Sequence, residues 1–184
     1  MTIRQLTIDE LVAGLDGIRE APADGGVLEM IVRRPAVGVR ETLEEGELDP
    51  AAGLVGDTWS SRGSRRTADG SPHPAMQINV MSARVVALLA QDRSSWPLAG
   101  DQLFVDLDLS EANLPAGTRL AIGDAVIEVT AEPHTGCGKF AARFGVDATK
   151  FVNSRERRDL HLRGINARVV RPGVLRVGDA VSKL

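Results

Sequence analysis

The sequence has a single cysteine, no tyrosine and few aromatic residues of any kind, and each shortage excludes a class of protein. One cysteine in 184 residues excludes an internal disulfide and a cysteine-rich zinc site. With 3% aromatic residues, the chain offers few side chains on which the bases of single-stranded nucleic acid could stack. The formal net charge of −3 gives no overall attraction to a phosphate backbone. We therefore expect no nucleic-acid partner.

Long hydrophobic runs are also missing. No stretch approaches the ~18 consecutive apolar residues that a membrane-spanning helix needs. The opening residues, Met1 to Gln5, lack the apolar core of a signal peptide. We therefore expect a cytoplasmic protein without a membrane partner.

The hydrophobic pattern predicts a mainly β protein with a few short helices. Thr7 to Glu10 fits a capping box, and apolar residues then recur at helical spacing up to Ile18. Residues 1–25 are thus predicted to be an N-terminal helical extension that packs on the body or on a partner, and 26–184 a single domain. Strands are predicted at 26–33, 37–43, 76–81, 103–107, 120–122, 125–130, 161–170 and 174–181, and further short helices after Ser82, at 139–144 and at 147–152. Many short strands with Gly and Pro turns favour a β-barrel.

Two polar segments interrupt this pattern. The acidic run from Glu41 to Asp49 is predicted to be a solvated loop. The segment from Ser60 to Pro74 is a long polar loop, which in a compact domain is usually functional or disordered. It carries Arg62, Arg65, Arg66 and His73, which either close over an anionic ligand or belong to a flexible charged loop.

The only cysteine lies in the segment Glu132-Pro133-His134-Thr135-Gly136-Cys137-Gly138-Lys139-Phe140. The two flanking glycines can adopt positive φ and allow close approach of another group. The predicted helix from Lys139 places Cys137 at a helix N-terminus, where unpaired N–H groups lower the pKa of a thiol. Cys137 is therefore a candidate nucleophile or metal ligand. The alternative is a small buried core residue.

His134 and Cys137 form a His-x-x-Cys pair. A zinc site needs three or four ligands, and too few other donors remain to make a closed structural site. A Cys–His nucleophilic pair needs a geometry that spacing alone does not establish. The remaining interpretation is that His134 is a hydrogen-bonded loop residue.

Positive charge is concentrated directly after the cysteine. Residues 139–171 contain nine basic and three acidic residues, a net charge of +6, which leaves −9 for the rest of the chain. A cationic patch beside a thiol suits a phosphate-bearing or otherwise anionic small ligand. The alternative is a solvated surface of scattered arginines.

The chain resembles the MOSC domain family, named for the C-terminal part of molybdenum cofactor sulfurase. The resemblance rests on an ordered series of segments that spans roughly Gly53 to Val181. These are 53–57, 77–80, 99–101, 111–117, 120–124, the cysteine segment, 163–169 and 173–179. A common form of the motif has proline directly before the cysteine, whereas three residues separate Pro133 from Cys137 here, as in a compact bacterial subgroup of stand-alone members.

The resemblance implies a MOSC-type β-barrel in which Cys137 is the functional residue, both as catalytic nucleophile and as metal ligand. Some members of the family carry sulfur as a cysteine persulfide, and others ligate the molybdenum of a pterin cofactor through the cysteine. The site would then be lined by His134, Lys139, Gln77, Arg163, Asn166 and Arg168. Its partners would be an anionic small molecule or the pterin cofactor, and a protein that donates or accepts sulfur.

Three functions follow from this resemblance and from the residues. The first is a sulfur carrier or molybdenum cofactor ligand protein. The second is a molybdenum cofactor-dependent reductase of N-hydroxylated compounds. The third is a non-catalytic interaction module with a structural cysteine and the N-terminal helix docked on a partner. No pyridoxal phosphate lysine is identified in the chain, so desulfuration of cysteine by this chain alone is not expected.

Overall fold

A closed barrel of seven strands forms the body of the protein in the computed structural model, which describes residues 3–184. The first two residues of the predicted extension at 1–25 lie outside the described part. The strands are β1 (Gly26–Arg33), β2 (Glu41–Leu43), β3 (Glu45–Asp49), β4 (Gly53–Leu54), β5 (Ile78–Ser82), β6 (Leu103–Asp106), β7 (Arg119–Ile122), β8 (Ala125–Val129), β9 (Ile165–Arg171), β10 (Gly173–Arg176) and β11 (Ala180–Lys183).

The barrel runs in the order β11, β7, β8, β9, β5, β6, β1, and β1 pairs back with β11 to close it. Only β5 and β6 pair in parallel; the other pairs in the barrel are antiparallel. β2 adds to β1 outside the barrel, and β10, β3 and β4 form a small separate sheet. The predicted mainly β barrel with a few short helices is confirmed.

The helices form a second layer against one side of the barrel. They are α1 (Ile8–Ala13), α2 (Leu15–Arg19), α3 (Ala83–Ala90), α4 (Gly138–Phe144) and α5 (Val146–Val152), with 3₁₀ helices at Pro74–Met76, Arg93–Ala99 and Arg155–Leu160. Buried residues of these helices pack together with outward-facing residues of the barrel strands, among them Met30 and Met81. The barrel interior is a separate apolar core that includes Leu28 and Ile78.

The capping box at Thr7 and Glu10 is present, but the predicted N-terminal helix is shorter than expected. Gly14 ends α1 and precedes α2, so the three-turn helix divides into two short ones. A β carbon at Gly14 would stand 2.6 Å from Leu88 Cδ2 of α3. The break therefore lies where the extension packs closely against Leu88 of α3.

Other sequence predictions need correction. The acidic run predicted as a loop contains β2 and β3, because Glu45 and Glu47 face solvent while Gly46 and Leu48 face inward and pair with β10. The strand predicted at 37–43 is reduced to β2. β5, expected to be half-buried, is buried on both faces because it lies between the barrel interior and α3. The strand predicted at 161–170 starts at Ile165, since His161 ends a 3₁₀ helix with a φ of 46°.

The β7–β8 hairpin with its two-residue Gly123-Asp124 turn is confirmed, with Ile122 opposite Ala125. Gly123 has a φ of 56°, the positive value that such turns require. Within residues 3–184, no helix is long and apolar enough to cross a membrane.

Candidate functional site

Cys137 occupies the N-cap position of α4 and is exposed to solvent. Its carbonyl accepts the first helical hydrogen bond, from the N–H of Ala141 at 3.0 Å. α4 is anchored by Phe140 and Phe144, which are buried in the helical layer. The predicted helix N-terminus is confirmed. The alternative of a packed, structural cysteine is wrong, because the residue is exposed.

The surroundings of the thiol favour its ionised form. Partial burial raises the pKa of Cys137, but the backbone N–H groups of Phe140 and Lys139 and the charge of Arg163 outweigh that effect, so the pKa is lowered. Sγ forms no capping hydrogen bond of normal geometry. It is therefore stabilised as a thiolate by nearby dipoles and charge while it stays free to react or to bind a soft metal.

An asparagine holds the loop before the cysteine. Gly136 N–H donates to Asn153 Oδ1 at 2.8 Å, and Asn153 Nδ2 donates to the Gly136 carbonyl at 3.0 Å. A β carbon on Gly136 would meet Val152 Cγ2 at 3.2 Å, so the glycine allows this close approach. Neither Gly136 nor Gly138 has a positive φ. Close approach, and not a left-handed turn, is what glycine contributes at position 136.

A buried ion pair lies directly behind the cysteine loop. Arg163 Nη1 contacts both carboxylate oxygens of Asp101 at 2.9 and 2.7 Å, and Nη2 donates to the Ala99 carbonyl. The guanidinium stacks over the ring of Phe140 at 4.9 Å. Its Nε is buried and has no hydrogen-bond partner. Arg163 therefore connects the barrel to α4 and retains one unused donor.

His134 packs against this ion pair. Its Nδ1 lies 3.5 Å from Asp101 Oδ1 without a hydrogen bond, and its side chain is 11% exposed. Burial, followed by the charge of Arg163, lowers the pKa of His134 to about 4, against the opposing effect of Asp101. The imidazole is therefore neutral at pH 7. The prediction that His134 is a hydrogen-bonded loop residue is not supported, because its side chain forms no hydrogen bond with the described residues.

Asn166 and Gln77 are both buried, and hydrogen bonds use the polar atoms of their side chains. Asn166 Nδ2 donates to the Glu132 carbonyl at 3.0 Å, and its Oδ1 accepts from Asn79 Nδ2 at 2.7 Å. Gln77 Nε2 donates to the Pro50 carbonyl at 2.8 Å, and its Oε1 accepts from Val169 N–H at 2.7 Å. Asn166 thus holds the start of the cysteine loop, whereas Gln77 connects strands.

The two remaining predicted residues lie on the surface. Lys139 is exposed in the first turn of α4, directly after Gly138. Arg168 pairs with Glu128 across β8 and β9 at 2.6 Å. The structure therefore brings His134, Arg163, Asn166 and Lys139 together around the segment of Cys137, while Gln77 and Arg168 are engaged elsewhere.

The polar loop at 60–74 reaches the cysteine segment through Glu132. Arg66 Nη1 donates to Glu132 Oε2 at 3.1 Å, and His73 Nε2 lies 3.8 Å from Glu132 Oε1. Trp59 Nε1 donates to the His73 carbonyl at 3.3 Å. The loop therefore contacts the segment that carries Cys137 through Arg66 in its middle and His73 near its end.

A cavity of about 440 Å³ opens on the inner side of the cysteine loop. Its walls include Pro133, His134, Thr135, Asn153 and Ile165. Cys137 follows two residues after Thr135 and is not part of this lining. Pockets of this volume and mixed polarity are typical of small-molecule sites.

Sequence reasoning missed the acidic partners that organise the site. Asp101 holds Arg163, and Asp57 holds Arg34 through Nε and Nη2 at 2.8 and 2.9 Å. Arg34 Nη1 also donates to Asn79 Oδ1, which continues the network to Asn166. Both aspartates follow a glycine inside segments that carry the family resemblance, and that is the only signal the sequence offered.

Across residues 3–184, no group of three or more His, Cys, Asp or Glu side chains is arranged to hold a metal ion. The exposed thiol of Cys137, whose pKa is lowered, offers one soft sulfur ligand, and the charge of Arg163 acts on it. One sulfur ligand beside a positive charge suits an anionic metal group that brings its other ligands with it. The residues present are thus compatible with the cofactor that the resemblance implies.

Comparisons with known proteins agree with this fold. No curated protein matches the sequence. Among solved structures, the YUAD protein from Bacillus subtilis superposes with a TM-score of 0.60 at 19% identity, covering 86% of this chain and 94% of that one. YiiM from Escherichia coli gives a TM-score of 0.54 at 18% identity, covering 86% and 69%. YiiM from Geobacillus stearothermophilus gives 0.52 at 12% identity, covering 89% and 74%.

At these identities the structural likeness shows the fold alone. The family is shown by the sequence, because a family model described as the MOSC domain matches residues 73–182, which include the cysteine segment and strands β5 to β11. The chain belongs to the MOSC domain family.

Proposed function

We propose that the protein binds a molybdenum cofactor through the thiolate of Cys137 and catalyses a reduction at the bound metal. The observation that carries the proposal is the exposed Cys137 at the N-cap of α4, with a lowered pKa and with no side-chain cluster among the described residues that would complete a site for a bare metal ion. When bound, the cofactor supplies two-electron redox chemistry. The finer assignment to N-hydroxylated substrates rests on the family resemblance.

The residues of this chain would divide the work as follows. Cys137 provides a soft sulfur ligand whose pKa is lowered, against the effect of partial burial, by the backbone N–H groups of Phe140 and Lys139 and by the charge of Arg163. Arg163, held by Asp101 and Phe140, lines the adjoining cavity and supplies a fixed positive charge. His134 is neutral at pH 7 and therefore adds no charge.

The rigidity of the cysteine loop favours a ligand site over a delivery arm. Asn153 fixes Gly136 through two hydrogen bonds, and Asn166 fixes Glu132 through a third. The adjoining cavity of about 440 Å³ offers space for a small substrate beside the loop. A cysteine that delivers sulfur to another protein must move to reach it. The hydrogen bonds of this loop instead hold Cys137 in one place, as a metal ligand requires.

Metal content tests this proposal. Wild type and Cys137→Ser are expressed in a host that makes the cofactor, purified and analysed for molybdenum by mass spectrometry. Wild type is expected to retain about one molybdenum per chain, and the variant about tenfold less or lower, because it lacks the thiolate. Equal thermal unfolding of the two proteins is the control for folding. Equal molybdenum content would refute the role of Cys137 as ligand.

A persulfide carrier is the second candidate, favoured by the exposure of Cys137. In that chemistry the Cys137 thiolate attacks the outer sulfur of a persulfide on a cysteine desulfurase. A new S–S bond forms at Cys137, the S–S bond of the donor breaks, and the donor cysteine leaves as a thiolate. Intact mass after incubation with a desulfurase and cysteine should then show a gain of one sulfur atom that reductant removes and Cys137→Ser abolishes.

A further inference from the structure

The cavity beside the cysteine loop has walls whose charged side chains are largely engaged with other groups. The ionisable residues of its walls are Glu111, Glu132, His134, Arg158, His161 and Arg163. Glu132 Oε2 accepts from Arg66 Nη1 at 3.1 Å, and Arg163 Nη1 donates to Asp101 Oδ2 at 2.7 Å. Arg158 is exposed, so solvent and salt screen its charge.

His161 is engaged through both nitrogens of its ring. Nδ1 lies 2.8 Å from the carbonyl oxygen of Leu109, and Nε2 lies 3.2 Å from Glu111 Oε2. Both oxygens only accept hydrogen bonds, so each ring nitrogen serves as a donor to the protein itself. His161 therefore offers a ligand no lone pair, and Glu111 has its partner.

His134 differs from His161 because its ring nitrogens are not used by the protein. Nδ1 is buried without a hydrogen-bond partner, 3.5 Å from Asp101 Oδ1. Within residues 3–184, Nε2 forms no hydrogen bond either, yet it is not among the buried atoms. Since His134 lines the cavity, Nε2 is the ring nitrogen that a ligand there can reach.

The charge next to Nδ1 decides which nitrogen carries the proton. The imidazole is neutral at pH 7, so one nitrogen holds a hydrogen and the other a lone pair. A hydrogen on Nδ1 points its positive end towards the Asp101 carboxylate, whereas a lone pair there would face that negative charge. The favoured form therefore has the hydrogen on Nδ1 and the lone pair on Nε2.

We propose that the cavity binds a small uncharged molecule that donates an N–H or O–H hydrogen bond to Nε2 of His134. Leu114, Val129 and Ile165 supply apolar wall for the rest of that molecule. A charged ligand is disfavoured, because it would have to compete with the pairs that already engage Glu111, Glu132 and Arg163. His134 is thus a residue that determines specificity.

As a statement about the substrate, this inference rests on the reduction proposed above. Binding itself requires no metal and can be measured separately. His134 lies three residues before Cys137, so a molecule bound to Nε2 would lie against the cysteine loop.

The tautomer of His134 can be observed directly. The chain has three histidines, and long-range ¹H–¹⁵N spectra of histidine-labelled protein at pH 7 separate protonated from unprotonated ring nitrogens. His134→Gln assigns the signals by removing one set. We expect a protonated Nδ1 and an unprotonated Nε2. A hydrogen on Nε2, or on both nitrogens, would overturn the proposal.

Indole and benzofuran test the demand for a donor. The two molecules have nearly the same shape, and benzofuran has an oxygen where indole has N–H. Indole is expected to bind about tenfold more tightly and to move the Nε2 signal of His134 towards the protonated position, because benzofuran leaves the lone pair without a partner. Equal affinities, binding without a change at Nε2, or no binding of indole would overturn the proposal.

Variants assign the preference for indole to one nitrogen. His134→Leu removes the acceptor and should abolish the preference, whereas His134→Gln places an amide oxygen near the position of Nε2 and should restore much of it. His161→Gln is the matched control at the other histidine of the cavity, and it should keep the preference because Nε2 of His161 is engaged by Glu111. Thermal unfolding checks that each variant is folded. A preference that survives in His134→Leu would show that the proposal is wrong.

One further variant keeps the two proposals separate. Cys137→Ser should prefer indole over benzofuran as wild type does, whatever its molybdenum content. Equal molybdenum in that variant would refute the role of Cys137 and leave the role of His134 standing. Loss of the preference in Cys137→Ser would instead overturn the assignment to His134.

Discussion

The imidazole of His134 is the residue whose ionisation the fold changes most clearly. It is almost buried between Asp101 and Arg163, and its pKa falls to about 4 from an ordinary value of 6.5, first because of burial and then because of Arg163. The folded protein therefore resists protonating a group that the unfolded chain protonates readily. This difference has a consequence for stability that depends on pH.

The free energy of unfolding should fall as pH is lowered from about 6.5 to about 4. In that window the unfolded state binds a proton at His134 that the native state does not, so acid favours unfolding, and the contribution is complete below the folded pKa. The loss from this residue is about 3 kcal/mol. Urea unfolding of wild type and His134→Gln at several pH values measures it.

The variant lacks this titration, so the stability difference between the two proteins should change in favour of His134→Gln as the pH falls. Comparing the two proteins removes the contribution of the carboxylates that they share. Parallel pH profiles would contradict this prediction. They would show that the imidazole has the same pKa in the folded protein as in the unfolded chain.

At the residue scale, the sequence predicted features that depend on neighbouring residues and missed side-chain pairs between residues far apart in the chain. Cys137 at a helix N-terminus follows from the glycines, Lys139 and the apolar spacing of Phe140 and Phe144, all within a few residues. The partnership of Arg163 with Asp101 joins positions 62 residues apart, and no local pattern announces it.

At the scale of elements, the cysteine loop is positioned by the end of α5. Asn153 directly follows that helix, and its side chain both accepts from and donates to the backbone of Gly136. Gly136 lies two residues before the start of α4. The orientation of Cys137 at the N-cap thus depends on two helices and not on α4 alone. The contribution of the asparagine can be separated from that of the helix.

Asn153→Ala should raise the pKa of Cys137 and slow its alkylation by iodoacetamide at pH 7. Without the two hydrogen bonds the loop relaxes, and Sγ loses part of its exposure to the N–H groups of Lys139 and Phe140. Stability should fall by about 1 kcal/mol, because the asparagine is solvent-exposed. The measurement is the alkylation rate against pH, whose midpoint gives the thiol pKa.

Asn113→Ala is the matched control. That side chain also anchors a loop through backbone carbonyls, those of Ala23 and Asp108, and it belongs to another part of the molecule. It should leave the alkylation midpoint unchanged. An unchanged midpoint in Asn153→Ala as well would mean that α4 positions the thiol without the asparagine.

The element that sequence reasoning got wrong shows where such reasoning stops. β3 alternates exposed glutamates with the buried Gly46 and Leu48, which is the period of a strand, but its charge favoured a solvated loop. The segment forms a strand because it pairs with β10, which lies more than 120 residues later in the chain. Strands that depend on a distant partner carry little local signal.

At the scale of the whole molecule, β1 joins the two apolar cores. Leu28 and Ile31 point into the barrel, whereas Met30 and Val32 pack in the helical layer, and the register with β6 shifts between Leu28 and Met30. The N-terminal helices bury Leu11 and Leu15 in that same layer. Because these side chains are used inside the protein, they do not offer a docking face for another chain.

Leu11→Ala should therefore destabilise the entire molecule and not the N-terminal helices alone. Leu11 is fully buried in the core that also contains Met81 of β5 and Phe151 of α5. Removing its side chain leaves a cavity, and such changes cost about 2–5 kcal/mol. Urea unfolding is followed by far-ultraviolet circular dichroism, which reports the barrel strands and helices together, and by tryptophan fluorescence of the Trp59→Phe background, in which Trp96 of the helical layer is the remaining tryptophan. Both midpoints should shift to lower urea by the same amount, whereas Val12→Ala, at a more exposed position of α1, should shift them little.

An early, separate loss of helical signal with an unchanged later transition would contradict this prediction. It would show that the N-terminal helices fold on a finished barrel, so that the two layers do not form one cooperative unit.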